Sequence, residues 1–158
     1  MRLFGIKSVK TLVNTHMEYN EIKQRLVKCP DLPGLEDASQ AYLLWRGEEQ
    51  LLEAGEVVYA EGTKLDNTFC LLLSGMMLVE KGGTKIGEIS EGHIFGEMAY
   101  FSPLHERTAT VRVGSPESSV LKIQLTLDEL RSANFSLLKR YLGLQAWDRF
   151  VRTSQSCS

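Results

Sequence analysis

Phe95 to Val113 reads F-G-E-M-A-Y-F-S-P-L-H-E-R-T-A-T-V-R-V. Gly96 and Glu97 open a short run with helical character, Pro103 interrupts it, and Arg107 follows with small residues after it. If Glu97 to Tyr100 forms a helical turn, Gly96 lets another group come close, because it carries no side chain. Arg107 presents a planar fork of N–H donors suited to a phosphate. Thr108 and Thr110 place hydroxyls beside it. Glu97 would repel a phosphate and suits a pair of hydroxyl donors, such as a sugar edge. An arginine for phosphate and a glutamate for ribose on one loop describe a pocket for a nucleoside monophosphate. The plain alternative is a surface ion pair between Glu97 and Arg107, which would contribute little.

The flanks of this stretch set the fold. Glycines recur at 55, 62, 75, 82, 83, 87, 92, 96 and 114. Between them lie short strand-like pieces at Val57–Ala60, Phe69–Leu73, Met76–Glu80, Lys85–Ile89, Thr110–Val113 and Ser119–Ile123, a pattern of sandwiches and barrels. Gly82-Gly83 supplies the positive φ angles of a tight hairpin turn. Residues 1 to about 54 read as helical, with helices over Glu18–Val27 and Asp37–Arg46. After residue 125 helix returns. Thr126 and Glu129 have capping-box spacing, and Leu137, Tyr141, Leu144, Trp147 and Val151 form an apolar stripe widened by Leu138, Leu142 and Ala146. The expected fold is α+β: a β-roll of jelly-roll, double-stranded β-helix type, flanked by N-terminal helices and a C-terminal helical pair. The expected organisation is an N-terminal arm or helix over 1–20, one domain over 21–152, and a frayed tail over 153–158.

The totals agree with one globular domain. The chain has 158 residues, 43% hydrophobic and 24% charged, with a net charge of -2, which argues against a dedicated nucleic-acid surface. No apolar run reaches the length of a membrane span. Leu3, Phe4, Ile6 and Val9 with Arg2, Lys7 and Lys10 allow an amphipathic membrane-touching arm, although a docking helix or loose arm is the simpler reading. Cys29, Cys70 and Cys157 have no metal-ligand spacing and fit a reducing, cytoplasmic setting. His16, His93 and His105 never repeat as H-x-H, so a cupin-like metalloenzyme is not expected, and no motif surrounds a catalytic triad. No enzymatic activity and no metal are expected.

At these residues the sequence resembles the cyclic-nucleotide-binding domain family, which includes catabolite activator proteins and regulatory subunits of cAMP-dependent kinases. The family's phosphate-binding cassette reads approximately F-G-E-x-A, six or seven residues, then R-[TSA]-A. Phe95–Ala99, seven residues, and Arg107-Thr108-Ala109 match it. Ala54–Gly62, Phe69–Gly75 and Gly92–Glu97 resemble flanking family segments, with His93 where an Asp is usual. The match covers about residues 25 to 150.

The resemblance implies that the ligand is cAMP or cGMP. Glu97 would accept a ribose hydroxyl. Gly96, Met98 and Ala99 would supply amides or space. Arg107 would pair with the cyclic phosphate beside Thr108 and Ala109. A Thr at position 108 is associated in the family with tolerance of cGMP, which leaves the base open. Tyr59, Leu72, Val79 and Ile86 would wall the base and sugar, and Tyr141, Trp147 or Arg149 on the C-terminal helix would cap the base. The implied role is a sensor acting through that helix on a homodimer or a regulated protein. The chain ends too soon after that helix for a helix-turn-helix, so direct DNA binding is not expected. The alternative is a ligand-free scaffold of the same fold whose pocket is filled by its own side chains.

Overall fold

The computed structural model describes residues 17–156. The arm expected over residues 1–20 therefore lies mostly outside the described residues. Two helices come first, α1 (Tyr19–Val27) and α2 (Asp37–Arg46). Eight strands follow: β1 (Gly47–Glu53), β2 (Val57–Tyr59), β3 (Thr68–Ser74), β4 (Met76–Lys81), β5 (Thr84–Ser90), β6 (Ile94–Phe95), β7 (Thr110–Val113) and β8 (Glu117–Gln124). A 3-10 turn, Glu97–Tyr100, lies between β6 and β7. Helix α3 (Leu127–Arg131), a second 3-10 turn (Ala133–Phe135) and the long α4 (Ser136–Ser156) complete the chain. Helix α4 runs past Arg152, where the sequence reading began a tail.

The strands form two antiparallel sheets, ordered β1-β8-β3-β6 and β2-β7-β4-β5. This is the expected β-roll with helices on either side in sequence. Strand β3 shows why the two layers hold together. Phe69, Leu71 and Leu73 face the helices and pack with Ile22, Leu26, Leu43 and Leu142. Cys70 and Leu72 face the other way, into the roll, among Met77, Phe95, Val111 and Val120. A strand buried on both faces reads as a continuous apolar run rather than an alternation, and F-C-L-L-L is such a run. Burial also pushes the Cys70 thiol up to about 11.

Local signals produced local structure. The β4–β5 hairpin turns at Gly82 and Gly83, whose φ angles are +59° and +81°, and Lys81 pairs with Thr84 across it. In α3, Thr126 Oγ1 accepts from the Glu129 amide at 3.0 Å and Glu129 Oε1 accepts from the Thr126 amide at 2.8 Å. Both halves of the capping box are formed. The other Glu129 oxygen accepts from Arg46 at 2.8 Å and from the Tyr42 hydroxyl, which ties α2 to α3.

Two elements depart from the sequence reading. Residues 47–53, G-E-E-Q-L-L-E, were expected within the helical part and form strand β1. Its residues are weak strand formers, but β8 offers a full ladder from Gly47–Ile123 to Glu53–Glu117. Glu49 is buried there and accepts the Met17 amide at 2.7 Å. In α4 the buried side chains are Leu138, Leu142 and Ala146. Leu144, Trp147 and Val151, expected on the packing stripe, are exposed. The helix carries apolar residues on two faces, and contact with the 3-10 turn Glu97–Tyr100 selects one of them.

Candidate functional site

Strand β6 sets the site. Ile94 and Phe95 are both buried, on opposite sides of the sheet, so the chain leaves β6 in a fixed orientation. Gly96 then takes φ +89°. A Cβ at this position would lie 2.6 Å from the Tyr59 ring, so glycine is required by sterics as well as by φ. The 3-10 turn Glu97–Tyr100 follows, with Glu97, Ala99 and Tyr100 buried.

Arg107 returns beneath this turn and is only 4% exposed. Its guanidinium lies 3.6 Å over the Tyr59 ring, a close cation–π contact. Nη1 donates to the Gly96 carbonyl at 2.8 Å; Nη2 donates to Asp66 Oδ1 at 2.7 Å and to the Thr68 carbonyl at 2.9 Å. A guanidinium has five N–H donors, so these three bonds leave two for another acceptor. Tyr59 is itself anchored, its hydroxyl 2.8 Å from Thr68 Oγ1.

Glu97 is fully buried. Its partner is Arg149 of α4, whose Nη1 lies 2.6 Å from Oε1 and 2.8 Å from Oε2, while Nη2 donates to the Ile94 carbonyl at 2.9 Å. Burial raises the Glu97 carboxyl above its ordinary value, and the charge of Arg149 opposes that rise. Glu97 and Arg107 do not pair with each other; each has found a different partner. A carboxylate offers about four lone-pair sites, so Glu97 can still accept hydroxyl donors beside Arg149.

A third buried node joins the same region. The Asp31 carboxylate accepts the Ile94 amide at 2.9 Å, His93 Nδ1 at 3.2 Å and the Gln145 side-chain amide. The loop after α1, the turn into β6 and helix α4 therefore meet on one carboxylate. His105 is half-buried, with Nδ1 3.2 Å from the Ala99 carbonyl.

These groups enclose a cavity of about 490 Å³. Gly96, Glu97, Met98, Ala99, Arg107, Thr108 and Ala109 all line it, together with Tyr59, Val79 and Ile86. Three expected wall residues do not. Leu72 is fully buried in the roll interior, because its place in β3 points it between the sheets. Tyr141 packs against the helical core, and Trp147 stands 70% exposed on the far side of α4. The helix instead supplies Gln145, Asp148, Arg149 and Arg152. Of these, the sequence reading raised only Arg149. Asp31 and Gln145 were not found, since nothing local marks a carboxylate that gathers donors from three distant segments. Among the described residues no group of three or more His, Cys, Asp or Glu side chains is placed to hold a metal ion, and no helix is long and apolar enough to cross a membrane.

Comparison with known proteins gives a consistent family assignment. The cyclic nucleotide-binding domain profile matches residues 49–130, more than half of the chain. No curated protein matches. Among solved structures, cAMP-bound PfPKA-R superposes with a TM-score of 0.70 at 17% identity, over 86% of this chain and 45% of that one. The regulatory subunit of a cAMP-independent protein kinase A from Trypanosoma cruzi, bound to guanosine, gives 0.64 at 19%, over 87% and 45%. A protein of Geobacter metallireducens GS-15 described as cyclic-nucleotide-binding gives 0.60 at 20%, over 85% and 94%. At these identities the superpositions establish the fold. The chain spans less than half the length of the two kinase regulatory subunits.

Proposed function

Because the chain belongs to the cyclic nucleotide-binding domain family, we propose that its cavity takes a nucleoside 3′,5′-cyclic monophosphate, cAMP or cGMP, and that the protein is a regulatory module rather than a catalyst. The observation that carries this reading is the convergence of Gly96–Ala99 and Arg107–Ala109 on one cavity, with Arg149 of α4 bonded to Glu97 at its edge. In this reading the phosphate sits against the two remaining Arg107 donors and the Thr108 hydroxyl, and a ribose hydroxyl shares the Glu97 carboxylate with Arg149. The base lies between the β4–β5 hairpin, through Val79 and Ile86, and the α4 side chains Gln145 and Asp148. A ligand held this way favours the arrangement in which α4 is docked, which is a population shift by differential affinity. The docked helix is then what a regulated protein or a second copy reads, in a cytoplasmic setting.

A specific observation supports a second reading. Glu97 and Arg107 already have partners inside the protein, Arg149 and Asp66, as expected of a scaffold that keeps the fold without the ligand. The cavity itself is not filled by Tyr141 or Trp147, which favours the first reading.

The test is a calorimetric titration of cAMP, cGMP and guanosine into the full chain, with Arg107→Ala alongside and thermal melting to confirm that the variant is folded. At roughly 0.3 kcal/mol per non-hydrogen atom, a ligand of about 22 such atoms gains about 7 kcal/mol, a dissociation constant on the order of 10 µM. Saturable heat with a cyclic nucleotide, lost in the folded variant, is the expected result. No heat from any of the three ligands, in folded wild-type protein, assigns the scaffold role.

A further inference from the structure

A second recess lies away from the cavity, on the N-terminal half of α4. It is a groove of about 460 Å³ between α4, the α3–α4 connection and the end of the first 3-10 turn. Phe101, Ala133, Gly143 and Leu144 give it apolar walls. Arg131, Lys139 and Arg140 rim it, and no acidic side chain lines it. All three cations are exposed, and none is ion-paired with a described residue.

Two independent features mark this groove as more than a packing defect. Among the described residues, the one buried side-chain polar atom without a hydrogen-bond partner is Ser132 Oγ, and Ser132 lines the groove. A buried hydroxyl left unpaired opposes folding and is normally satisfied by some partner. The second feature is Gly143. It lies inside a long helix, where glycine destabilises relative to alanine. A Cβ there would meet the Phe101 ring at 3.5 Å, an ordinary contact. The fold therefore does not need glycine at this position; what glycine does is keep the groove open.

We propose that this groove is a docking site for an acidic, amphipathic peptide segment of a protein partner. Apolar side chains of that segment would enter between Phe101 and Leu144 over Gly143, in the manner of a helix laid in a groove. Its carboxylates would meet Arg131, Lys139 and Arg140. Charge complementarity selects the acidic partner. The concave apolar floor selects a segment with apolar anchors over a bare anion. The proposal does not depend on what the cavity at Glu97 holds, although α4 borders both.

The test uses the full chain and a short fluorescein-labelled peptide carrying Leu and Phe at i, i+4 and i+7 among glutamates, followed by fluorescence anisotropy and by amide NMR. Saturable binding is expected, with the amides of Ser132, Gly143 and Leu144 shifting and that of Val79 unmoved. The exposed-surface variant Lys139→Glu/Arg140→Glu should weaken binding about tenfold or more, and Gly143→Leu should block it while leaving the fold intact by circular dichroism. A peptide with lysines in place of the glutamates should not bind. Absence of saturable binding, equal binding to the charge-reversed variant, or shifts confined to another face would overturn the proposal. So would co-flotation of the chain with phosphatidylcholine–phosphatidylserine vesicles through Lys139 and Arg140 when the peptide moves no resonance, because the surface would then belong to a membrane.

Discussion

Arg149 of α4 donates from Nη1 to both oxygens of Glu97 and from Nη2 to the carbonyl of Ile94. One side chain thus ties the C-terminal helix to the charged residue of the cassette and to the strand that leads into it. Arg149 keeps about a quarter of its exposure (24%), whereas Glu97 keeps none. Arg149→Ala strands the carboxylate, and its cost should be roughly 2–3 kcal/mol, below that of a fully sealed pair because water can reach the vacated side. Glu97→Gln/Arg149→Met should recover part of that loss. Urea unfolding of both variants checks it, and an Arg149→Ala variant as stable as wild type would show the pair to be idle.

The same carboxylate gives a pH dependence whose sign can be worked out. Burial raises Glu97 above its ordinary value of 4.5. Between those two values the folded state holds a proton that the unfolded state has lost. Stability from this group is therefore fully present below 4.5 and falls as pH rises through the window. Binding of a ribose hydroxyl needs the ionised acceptor, so cyclic-nucleotide affinity should move the other way and weaken as pH falls through the same window. Titrations at stepped pH, with Glu97→Gln as the flat reference, measure both slopes.

Arg107 and Asp66 are bonded at 2.7 Å but are not equally buried, with side chains 3% and 51% exposed. Losing Asp66 removes one half-exposed partner, and Asp66→Ala should cost about 0.5–1 kcal/mol. Losing Arg107 also strands the carbonyls of Gly96 and Thr68, and Arg107→Ala should cost about 2–4 kcal/mol. Equal losses in thermal melts would mean that the carbonyl contacts carry no weight.

Gly96→Ala should be among the more damaging single-atom changes in the chain. The left-handed backbone costs an alanine about 1–2 kcal/mol. The new methyl also meets the Tyr59 ring at 2.6 Å, and that ring is pinned by Thr68 and by Arg107. A total of at least about 2 kcal/mol is expected, read by denaturant melts. A neutral result would show that the ring can move.

Gly143→Ala should do the opposite. The methyl finds ordinary contact with Phe101, and a helix interior favours alanine over glycine by about 0.5–1 kcal/mol. Thermal melting should show a small rise in midpoint with the cavity at Glu97 unaffected.

Much of this protein is written locally. The Gly82-Gly83 turn, the Thr126–Glu129 capping box, the doubly apolar run of β3 and the spacing from Phe95 to Ala109 each follow from a few neighbouring residues. Their physics, a positive φ, a paired amide or a buried run, is complete within the segment. That is also why the cassette residues could be named from sequence: glycine, glutamate and arginine differ sharply in what they permit. Strand β1 was not legible, because E-E-Q carries no strand preference and becomes a strand only against β8. The inward face of α4 was not legible either, because Leu137, Leu144 and Trp147 compete with Leu138, Leu142 and Ala146 for the same core.

The β-roll, its flanking helices and the cassette that lines the cavity follow from local signals along the chain. Tertiary packing chooses the partners of the cassette's charges, Arg149 for Glu97 and Asp66 for Arg107, and gathers His93 and Gln145 onto Asp31. These partners lie 41 to 114 residues apart along the chain. A buried charge takes whichever opposite charge or donor the packed layers bring within about 3 Å. That choice exists only once sheets and helices have closed around it.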